Sequence, residues 1–195
     1  MNLLLNLFSL VCHQDVSRSF AIAGMVLPFC QRCTGLYLGL GIGLLIQLLS
    51  GSHKKGLPPK GILYTAIACL LVMPVFGLHF LDPGPAWRFW TGLIYGNAIA
   101  YLLLPAAFTI ATRGRRVRCY TPGSMIAFWG QFAFLNTLAL WFPVQSVVFA
   151  YGVLALACAG GLGVILCLAE CLAVVIRTAI GHFFLKGDFH GTSQS

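Results

Sequence analysis

The sequence predicts an all-α fold, a polytopic integral membrane bundle of about five transmembrane helices preceded by an N-terminal interfacial or re-entrant segment. Of the 195 residues, 59% are hydrophobic and only 8% are charged, and the mean hydropathy is +0.90. Soluble domains carry about 25% charged residues. Long apolar runs separated by short basic loops are typical of a multi-pass membrane protein, with the lipid bilayer as its environment.

Five apolar runs have lengths near the roughly 20 residues that a transmembrane helix needs. They cover residues 33–49, 61–81, 87–111, 122–142 and 144–176. The last run is too long for one perpendicular helix, so we expect it to tilt, to break near Gly160 and Gly161, or to leave the membrane around Glu170. Two earlier stretches, 3–11 and 20–29, are too short to span and should lie in the interface or re-enter as short helices.

The distribution of basic residues predicts the orientation. Most of them follow the first, third and fifth runs: Lys54, Lys55, Lys60, Arg113, Arg115, Arg116, Arg118, Arg177 and Lys186. The positive-inside rule places these segments in the cytoplasm, and hence the N-terminal region outside the cytoplasmic (inner) membrane and the C-terminus inside. Although the net charge is +8, the bases lie where topology uses them, so we expect no nucleic-acid partner.

A Cys-x-x-Cys pair, Cys30 and Cys33, opens the first predicted span. It can supply two ligands of a four-coordinate metal, with Cys12 and His13 as candidates for the others, which favours zinc or another transition metal. The pair could instead form a redox disulfide, because a helix N-terminus stabilises a thiolate. A structural disulfide in an oxidising compartment is the third interpretation. None of the three defines a substrate or a reaction, so enzymatic activity stays open.

Three arginines and one acid fall on the same predicted side as this pair: Arg18, Arg32, Arg88 and Asp82. Arginine binds phosphate bidentately, so a lipid head group or another phosphate-bearing ligand is one interpretation. The other is an ion pair that only fixes the helices to one another.

Glycines recur every four residues on the first and third spans. They are Gly35, Gly39 and Gly43 on the first span, and Gly92 and Gly96 on the third. Small residues at this spacing let helices in a membrane approach closely. We therefore expect these two spans to pack together and to bring the two outer polar clusters into proximity.

The residues CHQ-x3-RSF (12–20) and C-x-R-C-T-G-x-Y-x-G (30–39) resemble the signature of a prokaryotic membrane family known as domain of unknown function 2085. Asp82, Arg88 and Gly92 resemble its later elements, so the resemblance covers roughly residues 8–112. It implies no activity, but it does imply one shared site formed by Cys12, His13, Gln14, Arg18, Cys30, Arg32, Cys33, Asp82 and Arg88.

The resemblance also divides the chain. Residues 1–112 form the family-like membrane domain with the Cys/His motif, residues 113–186 form an additional two-helix membrane segment, and residues 187–195 form a polar tail.

Two other function classes stay open. A membrane thiol–disulfide oxidoreductase would use the Cys30–Cys33 pair, with Cys12 as the resolving thiol. A transporter or a structural subunit is the other class, since Asn97, Gln131 and Asn136 could line a polar path through the spans.

Overall fold

The computed structural model describes residues 12, 16–22, 24–56, 58–77, 84–112, 114, 120–141 and 147–187. Within these residues the protein is mostly helical, with one two-stranded sheet. The elements are β1 (Ser19–Ile22), β2 (Met25–Cys30), α1 (Gln31–Ser50), α2 (Lys60–Gly77), α3 (Pro85–Ala111), α4 (Pro122–Trp141) and α5 (Val147–Gly187). Short 3₁₀ turns precede β1 (Val16–Arg18) and follow α1 (Ser52–Lys54). The helices fall on the five apolar runs of the sequence.

Three of the described helices contain a stretch long and apolar enough to cross a membrane: Gln31–Ser50, Pro85–Ala111 and Ala150–Thr178. Two shorter apolar helices, Lys60–Phe76 and Met125–Leu135, accompany them. Large apolar side chains are exposed on the outer faces of the bundle, for example Ile126, Val148 and Ile165. Apolar surface on this scale is typical of a protein surrounded by lipid. The predicted helical membrane fold is confirmed at this level.

Helices α1 and α3 run parallel and lie in backbone contact. A Cβ added at Gly35 would overlap the carbonyl oxygen of Phe89, and one at Gly39 would overlap that of Leu93. Glycines of α3 face carbonyl oxygens of α1 in the same way. The glycines at this contact are Gly35 and Gly39 on α1, and Gly92 and Gly96 on α3. Gly43, one turn further along α1, lies against α3 as well. Only residues without a side chain permit so short a distance between the helices.

Residues 20–29 do not form the short helix that their apolar character predicts. They belong to a β-hairpin, in which β1 and β2 pair antiparallel with Ser19 opposite Cys30. Gly24 at the turn has φ 79°, a conformation that glycine adopts without strain. The register is irregular between the ends of the hairpin, and Pro28 in this part of β2 has no N–H to donate. The hairpin thus brings Cys12 back to the start of α1.

Helix α5 is continuous over 41 residues, so the expected break near Gly160 and Gly161 does not occur. It runs parallel to α1, because Gly160 lies against Tyr37 and Gly41, and Gly163, further along α5, lies beside Leu44, further along α1. A helix of this length extends about 61 Å at 1.5 Å per residue, roughly twice the hydrocarbon thickness of a bilayer. Glycine at the contact lets α5 pack closely on α1 without bending.

Glu170 lies near the level at which α1 ends. Gly163 of α5 is beside Leu44 of α1, and the parallel register places Glu170 about level with the end of α1 at Ser50. Its side chain is exposed. The apolar stretch of α5 that is long enough to span continues to Thr178, so the expectation that α5 leaves the membrane around Glu170 stays a prediction.

The helices alternate in direction and give the bundle two ends. At the cysteine end, where α1 and α3 begin and α2 ends, the Arg32 side chain reaches the backbone of Phe76. At the opposite, lysine end, Lys55 Nζ donates to Thr121 Oγ1 at 3.3 Å and lies 5.7 Å from the centre of the Tyr120 ring. The loop after α1 and the start of α4 are therefore neighbours at the lysine end.

Candidate metal centre

Three thiols meet at the cysteine end. The Sγ atoms of Cys12, Cys30 and Cys33 all lie within 4.8 Å of one another. Zinc–sulfur bonds of about 2.3 Å at tetrahedral angles place ligand sulfurs about 3.8 Å apart. Small side-chain movements would therefore close the three sulfurs around one ion. The described residues bring together three of the four predicted metal ligands.

The hairpin brings Cys12 to the Cys-x-x-Cys pair. The backbone N–H of Cys30 donates to Cys12 Sγ at 3.4 Å, across 18 residues of sequence. An N–H donor at a sulfur favours the thiolate form that a metal binds. The β1–β2 pairing thus brings Cys12 close to the other two cysteines, which are close to each other because only two residues separate them in the sequence.

The spacing of Cys30 and Cys33 fits the start of α1. Cys30 is the N-cap residue, with extended backbone angles of φ −66° and ψ 160°, and Cys33 lies one turn further. Residues three apart share one face of a helix. Thr34 Oγ1 donates to the carbonyl oxygens of Cys30 at 3.1 Å and of Phe29 at 3.4 Å. This bonding ties the end of β2 to the first helical turn and fixes both thiols at the helix N-terminus.

The thiols differ in burial. The Cys12 side chain is 4% exposed, whereas Cys30 and Cys33 are half-buried. The hydrogen bond with the Cys12 thiol, together with burial, raises the pKa of the Cys30 thiol above its ordinary value. Neighbouring thiols in a site with little water resist ionisation, so a metal ion that binds them must displace protons.

Helix α5 forms one wall of the cysteine cluster. Ala157 and Phe29 are fully buried in one apolar cluster with Cys12, and Leu154 and Tyr37 pack against it. Sequence reasoning missed this wall, because the fifth apolar run gives no sign of which neighbour each residue has. The small residues Ala157 and Gly160, which permit close packing of helices, were the only sequence feature that indicated this contact. The wall keeps the inner side of the cluster apolar.

Two arginines hold the helix ends around the cluster. Arg88 Nη1 donates to Gln31 Oε1 at 3.1 Å, which links the starts of α3 and α1. Arg32 Nη2 donates to the carbonyl oxygen of Phe76 at 2.8 Å, which links α1 to the end of α2. Arg18 ends the turn before β1 and is exposed. The structure therefore places Arg32 and Arg88 in the framework of the cysteine end.

Three predicted site residues, His13, Gln14 and Asp82, lie outside the described residues. The fourth ligand of a metal and the acidic partner of the arginines therefore stay predictions from the sequence. Gln31, which the sequence analysis did not select, lies between the two cysteines of the pair and is 6% exposed.

Two of the residues that suggested a polar path bond to each other. Gln131 Nε2 donates to Asn97 Oδ1, and the Tyr101 hydroxyl donates to Gln131 Oε1 at 2.6 Å. All three side chains are buried. The network joins α3 to α4 and uses polar groups that a path would have to expose. Asn136 lies further along α4.

Comparison with known proteins connects the cysteine end to a family. Residues 12–102 match the family described as "Predicted membrane protein (DUF2085)". An uncharacterized protein of Methanocaldococcus jannaschii is 32% identical over 105 residues, which are 52% of this chain and 66% of that protein. An uncharacterized protein of Methanothermobacter thermautotrophicus is 34% identical over 105 residues, 49% of this chain and 86% of that protein. No solved structure matches the chain significantly.

The region that matches the family contains the three cysteines, the hairpin, α1, α2 and most of α3. It ends before α4 and α5. The thiols therefore come from the shared region, whereas the wall formed by α5 comes from the part of the chain beyond it.

Proposed function

This chain belongs to the DUF2085 family of membrane proteins, and we propose that it is a metal-binding member whose three clustered thiols hold one transition metal ion such as zinc. The convergence of Cys12 with the Cys30–Cys33 pair carries this proposal. Thiolates are soft ligands that select zinc, copper(I) or iron–sulfur species over magnesium and calcium. The sequence offers His13 as the fourth ligand, which would give a four-coordinate site.

The fourth ligand decides which chemistry the site supports. With His13 bound, four protein ligands would make a closed, structural site. With the fourth position open instead, zinc held by the three cysteines would supply Lewis-acid chemistry for hydrolysis of an ester or amide bond in a lipid or peptide. In either case the chain's own contribution is the same: the hairpin and the first turn of α1 hold three sulfurs, and α5 excludes water from one side.

We propose five membrane spans, with the cysteine end on the extracytoplasmic side of the cytoplasmic (inner) membrane. Two arguments support this orientation. The described helices alternate in direction, so α1, α3 and α5 run one way and α2 and α4 the other. The basic segments 54–60 and 113–118 follow helices that end at the lysine end, and the positive-inside rule assigns such an end to the cytoplasm.

We further propose that arginines form a polar shell around the metal. Arg18, Arg32 and Arg88, with Gln14 and Asp82 from the sequence, would surround it and favour a lipid or phosphate-bearing ligand. In this division of the chain, residues 1–112 carry the site, residues 113–186 add two helices, of which α5 walls the site, and residues 187–195 form a tail.

Elemental analysis by inductively coupled plasma mass spectrometry tests the metal. Wild-type protein purified in detergent is compared with a Cys30→Ala/Cys33→Ala variant and with a Cys69→Ala variant. Cys69 is a buried cysteine of α2 that packs against α3, outside the cluster. We expect near-stoichiometric metal in wild type and Cys69→Ala and its loss in the double variant. Metal absent from wild type, or retained in the double variant, would overturn the proposal.

A thiol–disulfide oxidoreductase is the second candidate. The observation in its favour is that a third thiol lies beside a Cys-x-x-Cys pair at a helix N-terminus, where it can resolve a mixed disulfide. Alkylation of the native purified protein, with and without a reductant or a chelator, separates the two candidates. A redox protein gains alkylated thiols after reduction, whereas a metal site gains them after a chelator is added, without reductant.

A further inference from the structure

A long apolar groove lies between α1, α4 and α5. Its volume is about 430 Å³, within the range of about 300–1,000 Å³ that ligand pockets occupy. Leucine, isoleucine, valine, phenylalanine and glycine line it, and no polar side chain among the described residues does so. Its walls include Leu38, Ile42 and Ile46 of α1, Phe134 of α4, and Gly152 and Val153 of α5.

The groove follows the axis of two helices that can span a membrane. Leu38 and Ile46 are eight residues apart, which is about 12 Å along α1, and both lie in the span Gln31–Ser50. Gly152 and Val153 lie near the start of the span Ala150–Thr178. Hydrocarbon surrounds helices at this depth, and a groove without polar groups offers no hydrogen bonds. It therefore fits an elongated, apolar ligand.

One turn of α5 borders both the groove and the cysteine cluster. Val153 and Leu156 line the groove, whereas Leu154 and Ala157 pack against the cluster that contains Cys12. The groove therefore extends toward the cysteine end of the bundle, where Arg88 donates to Gln31. An apolar groove that points toward polar helix ends matches an amphipathic molecule.

We propose that the groove binds one hydrocarbon chain of a membrane lipid, whose head group then lies at the cysteine end. Gly152 keeps the groove open, because a Cβ built there has no heavy atom within 4 Å. A larger side chain at this position would enter open space in the groove and would not displace the backbone. The proposal depends on the shape and lining of the groove and does not depend on a bound metal.

Photocrosslinking tests this site with a matched pair of variants. Gly152→Leu fills the groove. Gly130→Leu on α4 is the control, because a Cβ there also meets no atom within 4 Å, but Gly130 does not line the groove. The proteins are reconstituted in phosphatidylcholine vesicles that contain a trace of phospholipid with a diazirine near the end of one chain. After illumination, intact mass gives the number of lipids bound and peptide mapping gives their positions.

We expect one lipid crosslinked to the groove segment 38–46 in wild type and in Gly130→Leu, and its loss in Gly152→Leu. Wild-type protein should be labelled alike with and without prior treatment with a chelator, which separates this inference from the metal proposal. Labelling that is equal on all outer helix faces, and that Gly152→Leu does not change, would come from the surrounding bilayer lipid. This result would overturn the inference. Label found on residues 1–11 and absent from segment 38–46 would overturn it as well.

Discussion

The Sγ of Cys12 accepts a hydrogen bond from the backbone N–H of Cys30 at 3.4 Å. These residues are 18 positions apart, and the β-hairpin between them brings them together. The contact turns a Cys-x-x-Cys pair, which is a weak motif alone, into a cluster of three thiols that could hold a metal ion.

Gly39→Leu should destabilise the bundle strongly. A side chain at this position would overlap the carbonyl oxygen of Leu93 on α3, and overpacking of this kind costs about 1–3 kcal/mol or more. Gly61→Leu on α2 is the matched control, because a Cβ there meets no atom within 4 Å. Thermal unfolding in detergent, followed by circular dichroism, should give a lowered Tm for Gly39→Leu alone. Equal Tm values would show that α1 and α3 are not in backbone contact.

Gln131→Met should cost stability without affecting the metal. The change removes the group that receives the Tyr101 hydroxyl and donates to Asn97. A buried polar group left without its partner costs about 1–3 kcal/mol, and bonds between helices in membranes are typically at the low end. Thermal unfolding and metal content are measured on the same sample. Loss of metal with unchanged stability would contradict the purely structural role.

Ala157→Phe should open the cysteine cluster. Ala157 is fully buried beside Cys12, so a phenyl ring there must push α5 away from the hairpin. Ala155→Phe, an exposed position on the same helix, is the control. In chelator-treated protein, the rate of maleimide modification of Cys12, measured by mass spectrometry, should rise in Ala157→Phe and stay unchanged in Ala155→Phe. Equal rates in both variants would argue that α5 does not shield Cys12.

The orientation predicts which end meets the cytoplasm. An epitope tag after Ser195 should be protected from protease in intact cells and cleaved only after the membrane is opened. A tag before Met1 should show the reverse, because the five proposed spans would place the two termini on opposite sides. Cleavage of the C-terminal tag from outside would reverse the assignment of the cysteine end.

Much of the architecture was accessible from the sequence. Apolar runs of about 20 residues predicted the positions of the helices because a bilayer imposes this length. The four-residue glycine spacing predicted that the first and third spans pack together, and the structure has Gly35 and Gly39 facing α3. The membership of the family was also confirmed. Each of these features depends on local composition or short spacing.

The features that depend on tertiary contacts were harder to predict. The stretch 20–29 has the apolar character of a short membrane segment, so the hairpin was missed, although Gly24 and Pro28 are residues that favour turns and irregular strands. The wall formed by Ala157 requires knowledge of which helices are neighbours. The continuity of α5 through Gly160 likewise depends on its contact with α1, which supports the helix where two glycines weaken it.

X-ray absorption at the metal edge tests the central claim most directly. With protein purified together with its metal, the account predicts three sulfur ligands at about 2.3 Å for zinc, and two sulfur ligands in a Cys12→Ser variant. The same variant should lose metal affinity by more than the roughly 10–100-fold that removal of an outer partner costs. A spectrum with only nitrogen and oxygen ligands, or one that Cys12→Ser leaves unchanged, would contradict a site built from Cys12, Cys30 and Cys33.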